Sequence, residues 1–297
     1  MTILNIFASF CAVFLSTMTL CSMQPEEDAQ LAQEECDNAF VRAIHNGDLA
    51  FVRACLDDNI VDVNCFGADN ATGLMIAAED ENSEFIKFLL QVKGIDVNKR
   101  NYARWSALDF AITVHNQDIV ALLVQAGATL GNHLLPTSFC QGYFPTITTL
   151  MLAAWHGHPG IIHILPKTAA DINRHNGYSG QTPLMFAAQN NKLLAVTELI
   201  SAGADINAAD NDWWTALMFA AWMGHESVVD CLLDAQARTD LRDCHFFRNA
   251  LDWAKVGYRI SHKASYASII QKLQEHSLLA PVAPPQPKPS ESFCSVM

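Results

Sequence analysis

A block of five residues returns along this chain at a near-constant interval, and no other feature limits the fold as tightly. Its copies begin at Phe40, Leu74, Leu108, Leu150, Leu184, Leu217 and Leu251, spaced 34, 34, 42, 34, 33 and 34 residues apart. The fullest copies read Leu150-Met151-Leu152-Ala153-Ala154, Leu184-Met185-Phe186-Ala187-Ala188 and Leu217-Met218-Phe219-Ala220-Ala221. A period of this length marks units that are single supersecondary elements. None can bury its apolar face alone, so neighbours must stack into one continuous core.

Each block continues in the same way. A turn with Gly follows, as at Gly47-Asp48, Gly157-His158 and Gly224-His225, and then an apolar pair at Leu89-Leu90, Leu122-Leu123, Leu199-Ile200 and Leu232-Leu233. Apolar residues three and four apart line one face of a helix, so the spacing predicts two short helices joined by a tight turn. The second helix should stop at Gly127 or Gly203, where a left-handed cap is needed. The polar runs Asp62-Val63-Asn64, Asp96-Val97-Asn98, Asp171-Ile172-Asn173 and Asp205-Ile206-Asn207 then predict a turn-forming hairpin.

With these residues in place, the chain resembles the ankyrin repeat, whose pattern is nearly complete in residues 181–208 and traceable over 37–276. The resemblance implies an all-α ankyrin-repeat solenoid of about seven repeats, occupying residues 26–278. Met75, Met151, Met185 and Met218 stand where the family has His, which puts in question one helix-terminal hydrogen bond per repeat. The Thr-Pro pair is whole only at Thr182-Pro183, and Pro166-Lys167 predicts a shortened or bent outer helix in the fourth unit. A polar stretch from Glu26 to Cys36 reads as an N-terminal cap or an extended first helix. Lys255, Arg259, Lys263, Lys272, Gln274 and Glu275 give the last unit a polar outer surface.

The two ends carry signals of their own. Residues 1–22 hold no charged side chain and are apolar from Ile3 to Leu15 apart from Asn5 and Ser9, as a secretory signal peptide would be; an uncleaved membrane anchor fits the same length. Export is therefore expected. Residues 279–297 form a Pro-rich tail ending in Cys294-Ser295-Val296-Met297, which matches a farnesylation box. An export signal and a cytosolic lipid signal are compatible if one cell secretes the chain and a eukaryotic host lipidates it, the reading of a membrane-tethered effector at Cys294. Membrane contact is expected only through the retained leader or that lipid.

Charge and motif content narrow the chemistry. With 18 Lys and Arg against 31 Asp and Glu, a net −13, the chain lacks the basic surface that nucleic acid requires. Its nine Cys include no Cys-x-x-Cys pair, and no metal site or cofactor is expected. Phosphate loops, nucleophile elbows and His-Glu-x-x-His are absent from the sequence, so no catalytic residue is named and an enzyme is not expected. His158 and His225 fall in the Gly-His turn, where the imidazole should bond the backbone of a neighbouring repeat.

Function should then lie on the surface formed by hairpin tips and the exposed ends of the first helices. Trp105 and Trp214 occupy equivalent positions three residues before their Leu, and Trp155 and Trp222 equivalent positions five residues after it. With Trp213, His156, Gln189, Asn190 and Met223 they form the expected contact set for a protein partner along a concave groove. The alternative is that each Trp packs on the next repeat. Eight extra residues within 131–146 bring Leu134, Leu135, Phe139, Tyr143 and Phe144, either to touch a partner or to cover a repeat junction. The sequence thus points to a monomeric, non-enzymatic interaction module, with the lipidated effector as the second reading.

Overall fold

The computed structural model describes residues 25–134, 146–165 and 167–279, which fall into two compact units divided between Gly131 and Asn132. The leader, Leu135, Phe139, Cys140, Tyr143 and Phe144 of the insertion, Pro166, and the tail with Cys294 lie outside the described residues. No helix among the described residues is long and apolar enough to cross a membrane.

The N-terminal unit consists of three helix pairs: α1 (Pro25–His45) with α2 (Leu49–Asp57), α3 (Gly73–Glu79) with α4 (Ser83–Leu89), and α5 (Ala107–Thr113) with α6 (Gln117–Gln125). The polar stretch ahead of the first block is the start of α1, so an extended first helix is what covers this end. Local chemistry starts the outer helices: the side chains of Asp48, Asn82 and Asn116 accept from the backbone N–H of Phe51, Phe85 and Ile119. First helices pack on first helices, α3 lying against α1 and α5, with Leu74, Ala77, Ala78, Leu108 and Ala111 buried between them. The alanines leave room for the close approach, and Leu supplies the buried area.

The C-terminal unit opens with a short antiparallel pair, β1 (Asn132–Leu134) and β2 (Thr146–Thr148), in the register Asn132 to Thr148. The insertion therefore springs from a two-stranded root. Helices α7 (Thr149–His156), α8 (Pro159–Ile164), α9 (Ala169–Ile172), α10 (Pro183–Gln189), α11 (Leu193–Ser201), α12 (Ala216–Met223), α13 (Glu226–Asp234), α14 (Ala250–Ser261) and α15 (Ala264–Leu279) follow. Here too the first helices line up: α10 packs on α7 and α12, and α14 on α12. The shortened outer helix is α8, six residues long, with Lys167 Nζ donating to the carbonyls of Ile162 at 2.6 Å and His163 at 3.0 Å. That ammonium caps carbonyls the truncated helix leaves open.

The backbone N–H groups of Thr72, Thr148 and Thr182 point at the Sδ atoms of Met75, Met151 and Met185, each at 3.4 Å. In these three repeats a weaker contact to a thioether takes the place of the helix-terminal bond. Two other blocks carry a carboxylate there, with Ser106 N–H donating to Asp109 at 2.9 Å and Asn249 N–H to Asp252 at 3.4 Å. Lys272 on the last helix pairs across to α13, with Glu226 at 2.9 Å and Asp230 at 2.7 Å, in a solvent-accessible ion pair.

The Asp-x-Asn runs stitch consecutive repeats. Asn64 accepts from Asp96 N–H at 2.7 Å and donates to the Gly94 carbonyl at 2.9 Å; Asn98 accepts from Thr129 N–H and donates to Gly127. Asn207 accepts from Arg238 N–H at 2.8 Å in the same manner.

Candidate functional site

The hairpin tips are organised by one position that recurs with the period. Asn101 Oδ1 accepts from Trp105 N–H at 2.9 Å, and Asp210 Oδ1 from the equivalent Trp214 N–H at 2.7 Å and from Asp212 N–H at 3.0 Å. Asn176 accepts from Ser179 and Gln181 in the same way. Asp243 does more: its carboxylate accepts from the N–H groups of His245, Phe246 and Arg248 and from the indole Nε1 of Trp253. Burial pushes the Asp210 carboxyl up to about 6, against the backbone donors that favour its charged form.

These tips set the tryptophans. Each Trp before a block packs on the third residue of that block, Trp105 on Phe110 at 5.4 Å between ring centroids and Trp214 on Phe219 at 5.0 Å. Each Trp after a block reaches the third residue of the next one, Trp155 on Phe186 at 5.9 Å and Trp222 on Trp253 at 6.4 Å. In the C-terminal unit the two habits meet. Trp214 lies 5.6 Å from Trp222 and 4.4 Å from Trp253, and Phe246 stands edge-on to Trp253 at 6.0 Å. The Arg248 guanidinium covers both Phe246 and Trp253, 4.7 Å and 4.9 Å from their centroids. Trp214 and Trp222 remain half-buried, and Phe246 is 63% exposed.

The expected contact residues are thus brought together only in part. Trp105 belongs to the N-terminal unit, whereas Trp155, His156, Gln189, Asn190, Trp213, Trp214, Trp222 and Met223 belong to the C-terminal one. Trp213 sits at a hairpin tip with φ of +64°, a left-handed conformation shared with Arg104 and Phe247 at the equivalent tips. It is half-buried rather than fully presented. The His156 ring stacks on His158 at 6.0 Å, the Asn190 amide donates to Phe186 O at 2.9 Å, and the Gln189 carbonyl bonds His225 Nε2 at 3.0 Å. The last contact is the cross-repeat bond expected of the Gly-His turn, and burial lowers the His225 pKa, with the Gln189 bond opposing. Met223 is exposed at the end of α12.

Sequence reasoning missed Trp253, Phe246 and Arg248. The signal was present, since Trp253 holds the block position of Phe110, Phe186 and Phe219. A separate cleft of about 350 Å³ in the N-terminal unit is lined by Val41, Ile76, Arg42, His45, Glu79 and Asp80 among others, with His45 Nδ1 2.8 Å from Asp80.

The family of ankyrin repeats (3 copies) matches residues 29–132 and 150–243. Among curated relatives, the phosphate system positive regulatory protein PHO81 of Saccharomyces cerevisiae is 25% identical over 190 residues, covering 56% of this chain and 16% of its own length. The B-cell lymphoma 3 protein homolog of Mus musculus is 27% identical over 208 residues, 60% of this chain and 46% of that protein. The chain therefore spans less than half the length of these relatives. Among solved structures, the ankyrin repeat domain of Bcl-3 superposes with a TM-score of 0.61 at 20% identity, covering 78% of this chain and 97% of that one. A chain from the complex of the Bd0816 predatory endopeptidase of Bdellovibrio bacteriovorus with immunity protein Bd3460 gives a TM-score of 0.56 at 28% identity, covering 66% of this chain and 97% of that one.

Proposed function

Because this chain belongs to the ankyrin-repeat family, we propose that it is a non-enzymatic module that binds a partner protein through the first-helix and hairpin-tip surface of its C-terminal unit. The observation that carries this reading is the cluster of Trp214, Trp222 and Trp253, with Arg248 laid over Trp253 and the neighbouring Phe246. The half-buried rings of Trp214 and Trp222, seated on buried Trp253 near a guanidinium, offer a large, rigid contact area at low entropic cost, the composition in which binding energy concentrates. Exposed Phe246 and Met223 extend the apolar area. The neighbour from the Bd0816 and Bd3460 structure is itself part of a protein–protein complex, which supports the reading.

The test is affinity capture with the full chain as bait, followed by binding measurements with the captured partner. Trp222→Ala combined with Phe246→Ala is expected to weaken binding at least tenfold while the helical circular dichroism stays as in the wild type. A partner held equally well by the folded double variant would move the binding surface elsewhere.

A further inference from the structure

Two successive hairpin tips of the C-terminal unit bring a thiol, an imidazole and a carboxylate to one point. The ligand atoms of Asp212, Cys244 and His245 all lie within 4.8 Å of one another, and Asp212 Oδ1 is 2.9 Å from His245 Nε2. The backbone beneath them is held firmly: Cys244 N–H donates to the Asp212 carbonyl at 3.1 Å, and His245 N–H donates to the buried Asp243 carboxylate at 3.0 Å. Cys244 is buried, whereas the Asp212 and His245 side chains are open to solvent. An ion could therefore enter from one side and meet a thiol on the other.

We infer that Asp212, Cys244 and His245 form a binding site for a divalent cation of the zinc class, bridging the two tips. The mix of thiolate, imidazole and carboxylate suits that borderline-soft ion and disfavours magnesium or calcium, which take oxygen ligands. Tetrahedral zinc places its donor atoms about 3.4 Å apart. The Asp212–His245 pair must open slightly from 2.9 Å, and no donor pair has to close from beyond 4.8 Å. A fourth position is left for water. Because the thiolate is the ligand, binding displaces the Cys244 thiol proton, so affinity rises with pH. The spacing hid this group, because Asp212 is 32 and 33 residues from the other two.

The full chain titrated with Co(II) should bind one equivalent and show thiolate-to-cobalt charge-transfer absorption that Zn(II) displaces. Cys244→Ser should abolish that band, and His245→Ala should weaken binding at least tenfold. If the buried Cys244→Ser substitution fails to fold, the exposed His245→Ala decides alone. A spectrum without sulfur charge transfer, a band that survives Cys244→Ser, or affinity unchanged in His245→Ala would overturn the site.

Discussion

The side-chain oxygen of Asn173 accepts a 2.7 Å hydrogen bond from the backbone N–H of Asp205, the equivalent of Asp171 one repeat further on, while its amide donates to the Gly203 carbonyl at 3.4 Å. One side chain thus satisfies two backbone groups at the joint between repeats. Asn173→Ala leaves both to water, and the joint is exposed, so the loss should be about 1 kcal/mol. Urea unfolding of the two proteins measures it; an unchanged midpoint would mean the bridge contributes nothing.

Leu184 heads the fifth block and is buried where α10 meets its neighbours. Replacing it by Ala removes apolar area and leaves a cavity, at a cost of about 2–5 kcal/mol. Thermal unfolding should show a clear fall in midpoint.

Gly203 and Gly224 both adopt left-handed conformations, with φ of +93° and +77°. Alanine at either carries the backbone penalty of about 1–2 kcal/mol. At Gly203 the added methyl meets open space, but at Gly224 it would lie 2.8 Å from the Tyr266 ring. That ring is tied down by its hydroxyl, which donates to the Trp222 carbonyl at 2.7 Å. Gly224→Ala should therefore destabilise more than Gly203→Ala in parallel unfolding curves, and equal losses would show that Tyr266 yields freely.

Asp210 supplies a pH dependence with a definite sign. Its carboxyl titrates at about 6 in the folded chain, above the ordinary 3.8, because burial outweighs the donors from Trp214 and Asp212. The folded state then holds this proton more tightly than the unfolded chain. Its stabilising contribution is complete below about pH 4 and is lost as pH rises toward 6. Asn101 and Asn176 hold the equivalent tips with a neutral oxygen. Asp210→Asn should keep the bonds, flatten this fall and raise stability at pH 7 by about 1–2 kcal/mol. Parallel wild-type and variant curves from pH 4 to 7 would refute the assignment.

Much of this architecture was legible in the residues themselves. The period named the pairs of helices, Gly47-Asp48 marked a turn between them, Gly127 and Gly203 the ends of outer helices, and Pro166-Lys167 the short outer helix. These are local matters, settled by backbone hydrogen-bonding needs within a few residues. The period also identified equivalent residues, which is why Trp105 with Trp214 and Trp155 with Trp222 could be matched before any geometry was known. What it could not give is how equivalent positions meet. The convergence of Trp214, Trp222 and Trp253, the burial that shifts Asp210, the thioethers facing Thr72, Thr148 and Thr182, and the meeting of Asp212 with Cys244 and His245 were decided only by the tertiary structure. They depend on the rise and rotation between stacked repeats and on the rotamers that packing selects, and residues some thirty positions apart share no local interaction that could encode either.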